Sequence, residues 1–323
     1  LLGAGGGVDK KTEIDPTQAA ATTDGRSPRA ILGTTFSDEL ALFTNGKAKI
    51  FGVSVKDRGA ITLAGHSGKA FWFSKAKGEF VTSTYYYEDY PEWVKNWNAQ
   101  KKIHSYLNSS WELMHDKATY IYGEADDMPW ETKFPGYGIV FPHPFGEMSK
   151  YFTTFLTLSP VGDELTLNFA KTLNEAENIG ADTITDYLSV SFSSTDYVGH
   201  VFGPSSLESE DNLFRLDRTL ANLLDYVDEK VGLENTLIVL SADHGGVDAP
   251  GHMKKFGVDA GYFDIDTIDT LAIKKVLQEE FQITDKLVSG YFHPYVYLDK
   301  QAVAKNNLDI DAVSRVLAAE LRK

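Results

Sequence analysis

Two short runs set carboxylates beside imidazoles. In Ser194-Thr195-Asp196-Tyr197-Val198-Gly199-His200, Asp196 and His200 are four positions apart; in Ser241-Ala242-Asp243-His244-Gly245-Gly246, Asp243 adjoins His244. One helical turn, or a compact turn, offers Asp196 and His200 to one metal ion. On an extended backbone Asp243 and His244 point apart, which suits two nearby ions better than one. A pair of zinc ions about 3.5–4 Å apart can activate a nucleophile, hold a phosphoryl oxygen and stabilise a leaving oxygen. Either run alone recurs by chance; together, each after a strand-like segment, they carry more weight. The competing readings are a cap for Asp196, an ordinary hydrogen-bonded histidine for His200, and loop closure for Asp243 and His244.

Lys56 and Arg58 are the cations that suit a substrate anion. Two apart on an extended segment, they share one side. Arg58 can fork onto two phosphate oxygens, while Lys56 supplies a movable point charge. Arg26 and Arg29 read as surface residues. His66 and His143 read as loop and turn packing, and His252 as peripheral to the second run.

These residues need elements to place them. Ala48–Val55 reads as a strand, with Lys56-Asp57-Arg58 at its end. Asp186–Phe192 and Asn235–Leu240 read as strands that lead into the two runs. Helices are expected over about 28–45, 91–105, 160–179, 207–231 and 267–280, with late strands at Leu287-Val288 and Tyr295–Leu298 and a helix over 302–323. Residues 85–150 are rich in aromatics and read as an inserted cap or subdomain whose rings pack that insertion. The alternation gives an α/β fold: a mixed, mostly parallel sheet flanked by helices. In such sheets ligands bind at the carboxyl ends of the strands, where both runs fall.

The bulk composition limits the alternatives. A chain of 323 residues with 42% hydrophobic and 24% charged residues can bury a large core. A formal charge of -15 opposes binding to nucleic acid or anionic membrane. With no cysteine, zinc must take oxygen and nitrogen ligands. No run reaches the roughly 18 apolar residues that span a bilayer. The start, Leu1-Leu2-Gly3-Ala4-Gly5-Gly6-Gly7, reads as a processed end or the interior of a longer protein.

The sequence resembles the alkaline phosphatase superfamily, and within it the bacterial, broad-specificity, zinc-dependent enzymes with a threonine nucleophile. The segments Ser54-Val55-Lys56-Asp57-Arg58-Gly59-Ala60, Ala64-Gly65-His66, Ala70-Phe71-Trp72-Phe73 and Phe80-Val81-Thr82-Ser83-Thr84-Tyr85-Tyr86 carry it, with the two metal-type runs. The resemblance implies an alkaline phosphatase-like catalytic domain over 1–323, present in part. It implies that Asp196 and His200 bind one zinc, that Asp243 serves a second, and that His244 completes part of the centre. Lys56 and Arg58 would contact the transferred phosphoryl group. The implied reaction is phosphate monoester hydrolysis through a covalent phosphoryl-threonine at a two-zinc centre, in the periplasm or outside the cell.

Two parts of the family pattern are not seen. Thr22-Thr23 lacks the surroundings of the nucleophile, and His293, in Tyr291-Phe292-His293-Pro294-Tyr295, lacks those of the last metal histidine. The expectation is an interior piece or one chain of a nicked enzyme, partnered by N-terminal and C-terminal fragments of the same enzyme. The alternatives are a phosphodiesterase or nucleotide pyrophosphatase, and a noncatalytic metal-binding interaction protein.

Overall fold

The computed structural model describes residues 26–262, 270–292 and 295–322, so Thr22, Thr23 and His293 lie outside the described residues. The chain divides into two compact units, Leu1–Val258 and Asp259–Lys323.

In the first unit, Ser27 caps a short 3-10 turn at Pro28–Ala30 and helix α1 follows at Phe36–Phe43. The single helix expected over this stretch is therefore two pieces. Thr35 and Asp38 form a reciprocal capping box, which starts α1 afresh. Next come β1 (Ile50–Ser54), α2 (Asp57–Ala64), β2 (Lys69–Ser74) and β3 (Glu79–Val81). Helix α3 (Glu92–Ala99) and the short pair β4 (Ser110–Trp111) and β5 (His143–Pro144) lie within 85–150. Helices α4 (Phe152–Thr157) and α5 (Val161–Glu177) lead to β6 (Tyr187–Ser191), α6 (Ser194–Phe202), α7 (Leu207–Lys230) and α8 (Pro250–Lys255).

The main sheet has the order β3-β2-β1-β6. β1 runs parallel to β2 and to β6, and β2 runs antiparallel to β3. This is the expected mixed, mostly parallel sheet. All five β1 residues are buried, because helices cover both faces. Alternate side chains of β2 feed two cores: Phe71 and Phe73 join Phe169 and Leu173 of α5, whereas Ala70 and Trp72 join Ala60, Ile61 and Ala64 of α2. Gly52 allows the second contact, since a Cβ there would lie 2.3 Å from the Ala60 carbonyl oxygen. Trp97, Trp111, Tyr137 and Phe145 share the core of Phe71, so these four aromatics of 85–150 are packing residues.

One expectation fails. Asn235–Leu240 has a central-strand pattern, yet among the described residues it joins no ladder. Leu237, Val239 and Leu240 are 90%, 79% and 79% exposed. Apolar pattern favours a strand, but a strand exists only where a neighbour takes its backbone hydrogen bonds. Helix α7 forms where expected, and it buries Glu208, Asp211 and Asn212 while Leu213 and Leu224 face solvent. Its polar face is buried because partners are supplied. Asp211, for one, accepts from Trp111 Nε1, Met114 N, Tyr120 Oη and Arg215 Nε.

The second unit holds α9 (Thr270–Glu280), an antiparallel hairpin of β7 (Val288–Phe292) and β8 (Tyr295–Leu298), then α10 (Lys300–Lys305) and α11 (Ile310–Glu320). Leu277, Leu287, Val303 and Val313 form its own core. The helix expected over 302–323 is two helices, because Asp309 caps a new start through Asp311 N.

Candidate metal and phosphate site

Helix α2 begins one residue after Lys56, which keeps an extended backbone at its N-cap. The segment is thus not extended through Arg58, and the two cations do not share one side. Lys56 turns inward and is 8% exposed; Arg58, in the first helical turn, is exposed. Between them Asp57 accepts from Arg26 Nε at 2.6 Å. Arg26 is mostly buried in this pair, which corrects its reading as a surface residue. No local motif marks a partner 31 residues away.

Three hydroxyls tie the carboxyl ends of β1 and β6 together. Ser193 Oγ lies 2.8 Å from Ser54 Oγ and 2.8 Å from Ser191 Oγ. Immediately afterwards α6 starts against α5, where Asp163 accepts from Ser194 N at 2.9 Å and from Thr195 Oγ1 at 3.3 Å. Burial pushes the Asp163 carboxyl up to about 7, against those hydrogen bonds. Gly162 permits the approach: a Cβ there would lie 2.1 Å from Ser194 Oγ. Asp196 therefore sits in a fixed first turn of α6, with His200 one turn later.

The remaining pair arrives from the loop after residue 240. Ser205 Oγ donates to Asp248 Oδ1 at 2.5 Å and holds the loop to the α6–α7 connection. His244 Nε2 then lies 3.6 Å from Asp196 Oδ1 and 3.5 Å from Asp243 Oδ2. His200 Nε2 is 3.4 Å from the same Asp196 Oδ1. The other Asp196 oxygen forms a close ion pair with Lys56 Nζ. Asp196, His200, Asp243, His244 and Lys56 thus converge from three segments. Asp243 and His244 remain exposed, at 84% and 59% for the side chains.

Burial would raise the Asp196 carboxyl, but the Lys56 ammonium outweighs it and the net shift is downward. Burial dominates at Lys56 and lowers it, with Asp196 opposing. Among the described residues no group of three or more His, Asp or Glu side chains is closed tightly enough to hold an ion as it stands. The donors nonetheless suit zinc. His244 Nδ1 lies 3.0 Å from the Gly245 carbonyl oxygen; donation there would leave Nε2 as the ring's ligating nitrogen. Nε2 faces carboxylate oxygens of Asp196 and Asp243, a donor set that suits a cation. Neighbouring ligands of a tetrahedral ion with bonds of about 2.0–2.1 Å lie roughly 3.4 Å apart, close to the spacings around Asp196 Oδ1.

His66, His143 and His252 are held by other contacts. His66 Nδ1 pairs with Asp38 at 2.8 Å, and that carboxylate raises the imidazole. His143 is fully buried, 3.1 Å from Glu208 Oε1. His252 packs against the rings of Tyr122, Trp130 and Phe256. One neighbour was not marked by the sequence. The Tyr197 ring lies under Lys56 Nζ and Lys75 Nζ, at 4.4 and 4.3 Å from its centroid. Its only sequence signal is its place inside the first run.

A family model described as type I phosphodiesterase / nucleotide pyrophosphatase matches residues 17–322. The chain is 35% identical over 320 residues to alkaline phosphatase PafA of Elizabethkingia meningoseptica, covering 96% of this chain and 57% of that protein. It is 38% identical over 307 residues to a protein of Myroides odoratus named calcium-transporting ATPase, covering 92% and 55%. Alkaline phosphatase PhoV of Synechococcus elongatus is 41% identical over 230 residues, covering 71% and 42%. The crystal structure of wild-type PafA superposes with a TM-score of 0.79 at 35% identity, covering 92% of this chain and 57% of that one. The chain spans about half the length of these curated relatives. With a family match over nearly its whole length, and with the fold and placement of its charged residues described above, the chain belongs to the type I phosphodiesterase / nucleotide pyrophosphatase family, within the alkaline phosphatase superfamily.

Proposed function

We propose that the enzyme containing this sequence hydrolyses phosphate monoesters at a two-zinc centre through a covalent phosphoryl-enzyme. The observation that carries the proposal is the convergence of Asp196, His200, Asp243 and His244 beside Lys56, at the carboxyl ends of β1 and β6. The names of PafA and PhoV support the same activity.

Asp196 and His200 would hold one zinc ion and Asp243 the other, with His244 completing the pair. When bound, the zinc ions would supply Lewis-acid charge stabilisation at the phosphoryl oxygens. Lys56 Nζ, now against Asp196, would turn to a nonbridging oxygen and balance its charge. Arg58, exposed in the first turn of α2, would bring its fork from outside. Both cations favour a dianionic monoester over a singly charged diester. Asp163 and the three serines fix the helix and strands that carry these groups. No residue of this chain is assigned as the attacking hydroxyl.

We further propose that N-terminal and C-terminal segments of the same enzyme supply the nucleophile and a last metal histidine. The exposed apolar run at 237–240 and the exposed leucines of α7 favour a covering partner. Residues 85–150 would act as an inserted cap. A periplasmic or secreted location fits the net charge of -15, and no described helix is long and apolar enough to cross a membrane.

The second reading, a diesterase, is favoured by the family description. The two part in one assay. The full-length protein should hydrolyse an aryl phosphate monoester faster than the matching diester, with two zinc ions found by elemental analysis. Equal or faster diester turnover would replace the first reading by the second.

A further inference from the structure

We propose that Tyr197 is a positioning residue for Lys56: its ring face holds the ammonium at the phosphate site while leaving its charge available to a substrate. The proposal rests on the phosphate-ester reading above.

Lys56 Nζ has two neighbours on consecutive residues of α6, the Asp196 carboxylate and the Tyr197 ring. Successive side chains on a helix diverge by about 100°, so the two flank the ammonium from different directions. They also differ chemically. A carboxylate neutralises an ammonium and competes with a substrate anion for it. A ring face attracts the ammonium through its quadrupole and carries no competing charge. Lys56 is buried, so its ammonium is confined to the partners that surround it. With Asp196 engaged by a metal, the ring would be the partner that remains.

Lys75 strengthens the case. It follows β2, the parallel neighbour of β1, and its Nζ lies 4.3 Å from the same ring centroid. Tyr197 in turn packs against the main hydrophobic core, so the ring is a fixed platform. The two ammonium groups lie within about 9 Å of each other, so one ring helps to fix both. The ring thus helps to hold Lys56 Nζ at the carboxyl end of β1, beside Asp196.

The test uses the full-length, zinc-loaded protein, with Tyr197→Phe and a series of increasingly fluorinated phenylalanines at 197. Fluorine withdraws density from the ring face and barely changes its shape. Two readouts are taken: kcat/KM for an aryl phosphate monoester, and the affinity for inorganic phosphate. Phe should rescue both to within about threefold of wild type, and each should then fall stepwise with fluorine number, to roughly tenfold overall. Zinc content and melting temperature should stay constant. In a Lys56→Ala background the same series should be flat, because the ring acts through Lys56. A flat series in the Lys56 protein, or an equal decline without Lys56, overturns the proposal. Absence of monoester turnover by the unsubstituted protein would sink the phosphate-ester reading instead; the phosphate-affinity series still decides the role of Tyr197.

Discussion

Asp196 divides its two oxygens between different chemistries. One faces the imidazoles of His200 and His244, and the other holds the Lys56 ammonium. Asp196→Asn should therefore harm both functions: zinc stoichiometry falls, and monoester turnover of the full-length protein drops about 100-fold or more. Asp243→Asn should lower the occupancy of at least one ion, with a comparable loss of turnover. Elemental analysis beside kinetics checks both; normal zinc content with normal turnover would remove either residue from the centre. The two acidic–histidine runs were legible in the sequence because each is local. The Lys56–Asp196 pair joins residues 140 apart, and the Arg26–Asp57 pair joins residues 31 apart. Neither pairing has a local pattern, so only the fold reveals them. The same holds for Tyr197, whose spacing from Asp196 says nothing about an ammonium on its ring.

Helix α6 owes its position to α5 and α7. Adding a methyl group by Gly162→Ala would push on Ser194 and displace the first turn that carries Asp196. A loss of about 1–3 kcal/mol of stability is expected, read as a lower denaturation midpoint, together with weaker zinc binding. A neutral substitution would show that α5 and α6 can separate without consequence. Buried carboxyls give the packing layer a pH signature. Burial raises Glu131 and Glu208 to about 8 and lowers His143 to about 4. The folded glutamates keep protons that the unfolded chain releases above about 4.5, so their contribution is lost as pH rises to about 8. Buried neutral His143 acts oppositely, costing stability as pH falls from 6.5 to about 4. Between pH 6.5 and 8 the glutamates prevail, and denaturant titrations should show falling stability. Glu208→Gln should reduce that slope; an unchanged slope would mean that the carboxyl titrates normally. At this scale β1, β6 and α5 were readable from their periodicity. The start of α2 at Asp57 was not, because Lys56-Asp57-Arg58 offers no capping side chain to announce it.

At the scale of the molecule, the mixed sheet was legible from the alternation of strand and helix signals, while the division at Asp259 was not. Apolar pattern tells which residues seek burial, not which part of a polypeptide provides it. Amides of 236–240 should therefore exchange rapidly with solvent in the isolated chain. They should become protected once the complementary segments of the enzyme are added; unchanged exchange would argue against a partner there. The run Leu237-Ile238-Val239-Leu240 has a further consequence. Four consecutive apolar residues with unused backbone groups are a template for intermolecular cross-β pairing. The charge of -15 holds copies apart at low ionic strength. At about 0.1 M salt the screening length shrinks to about 10 Å, and that repulsion fades. Light scattering of the isolated chain should thus grow with salt, and Val239→Lys should suppress it. The segment that reads as the framework of an active site would, when bare, be the seed of a fibril.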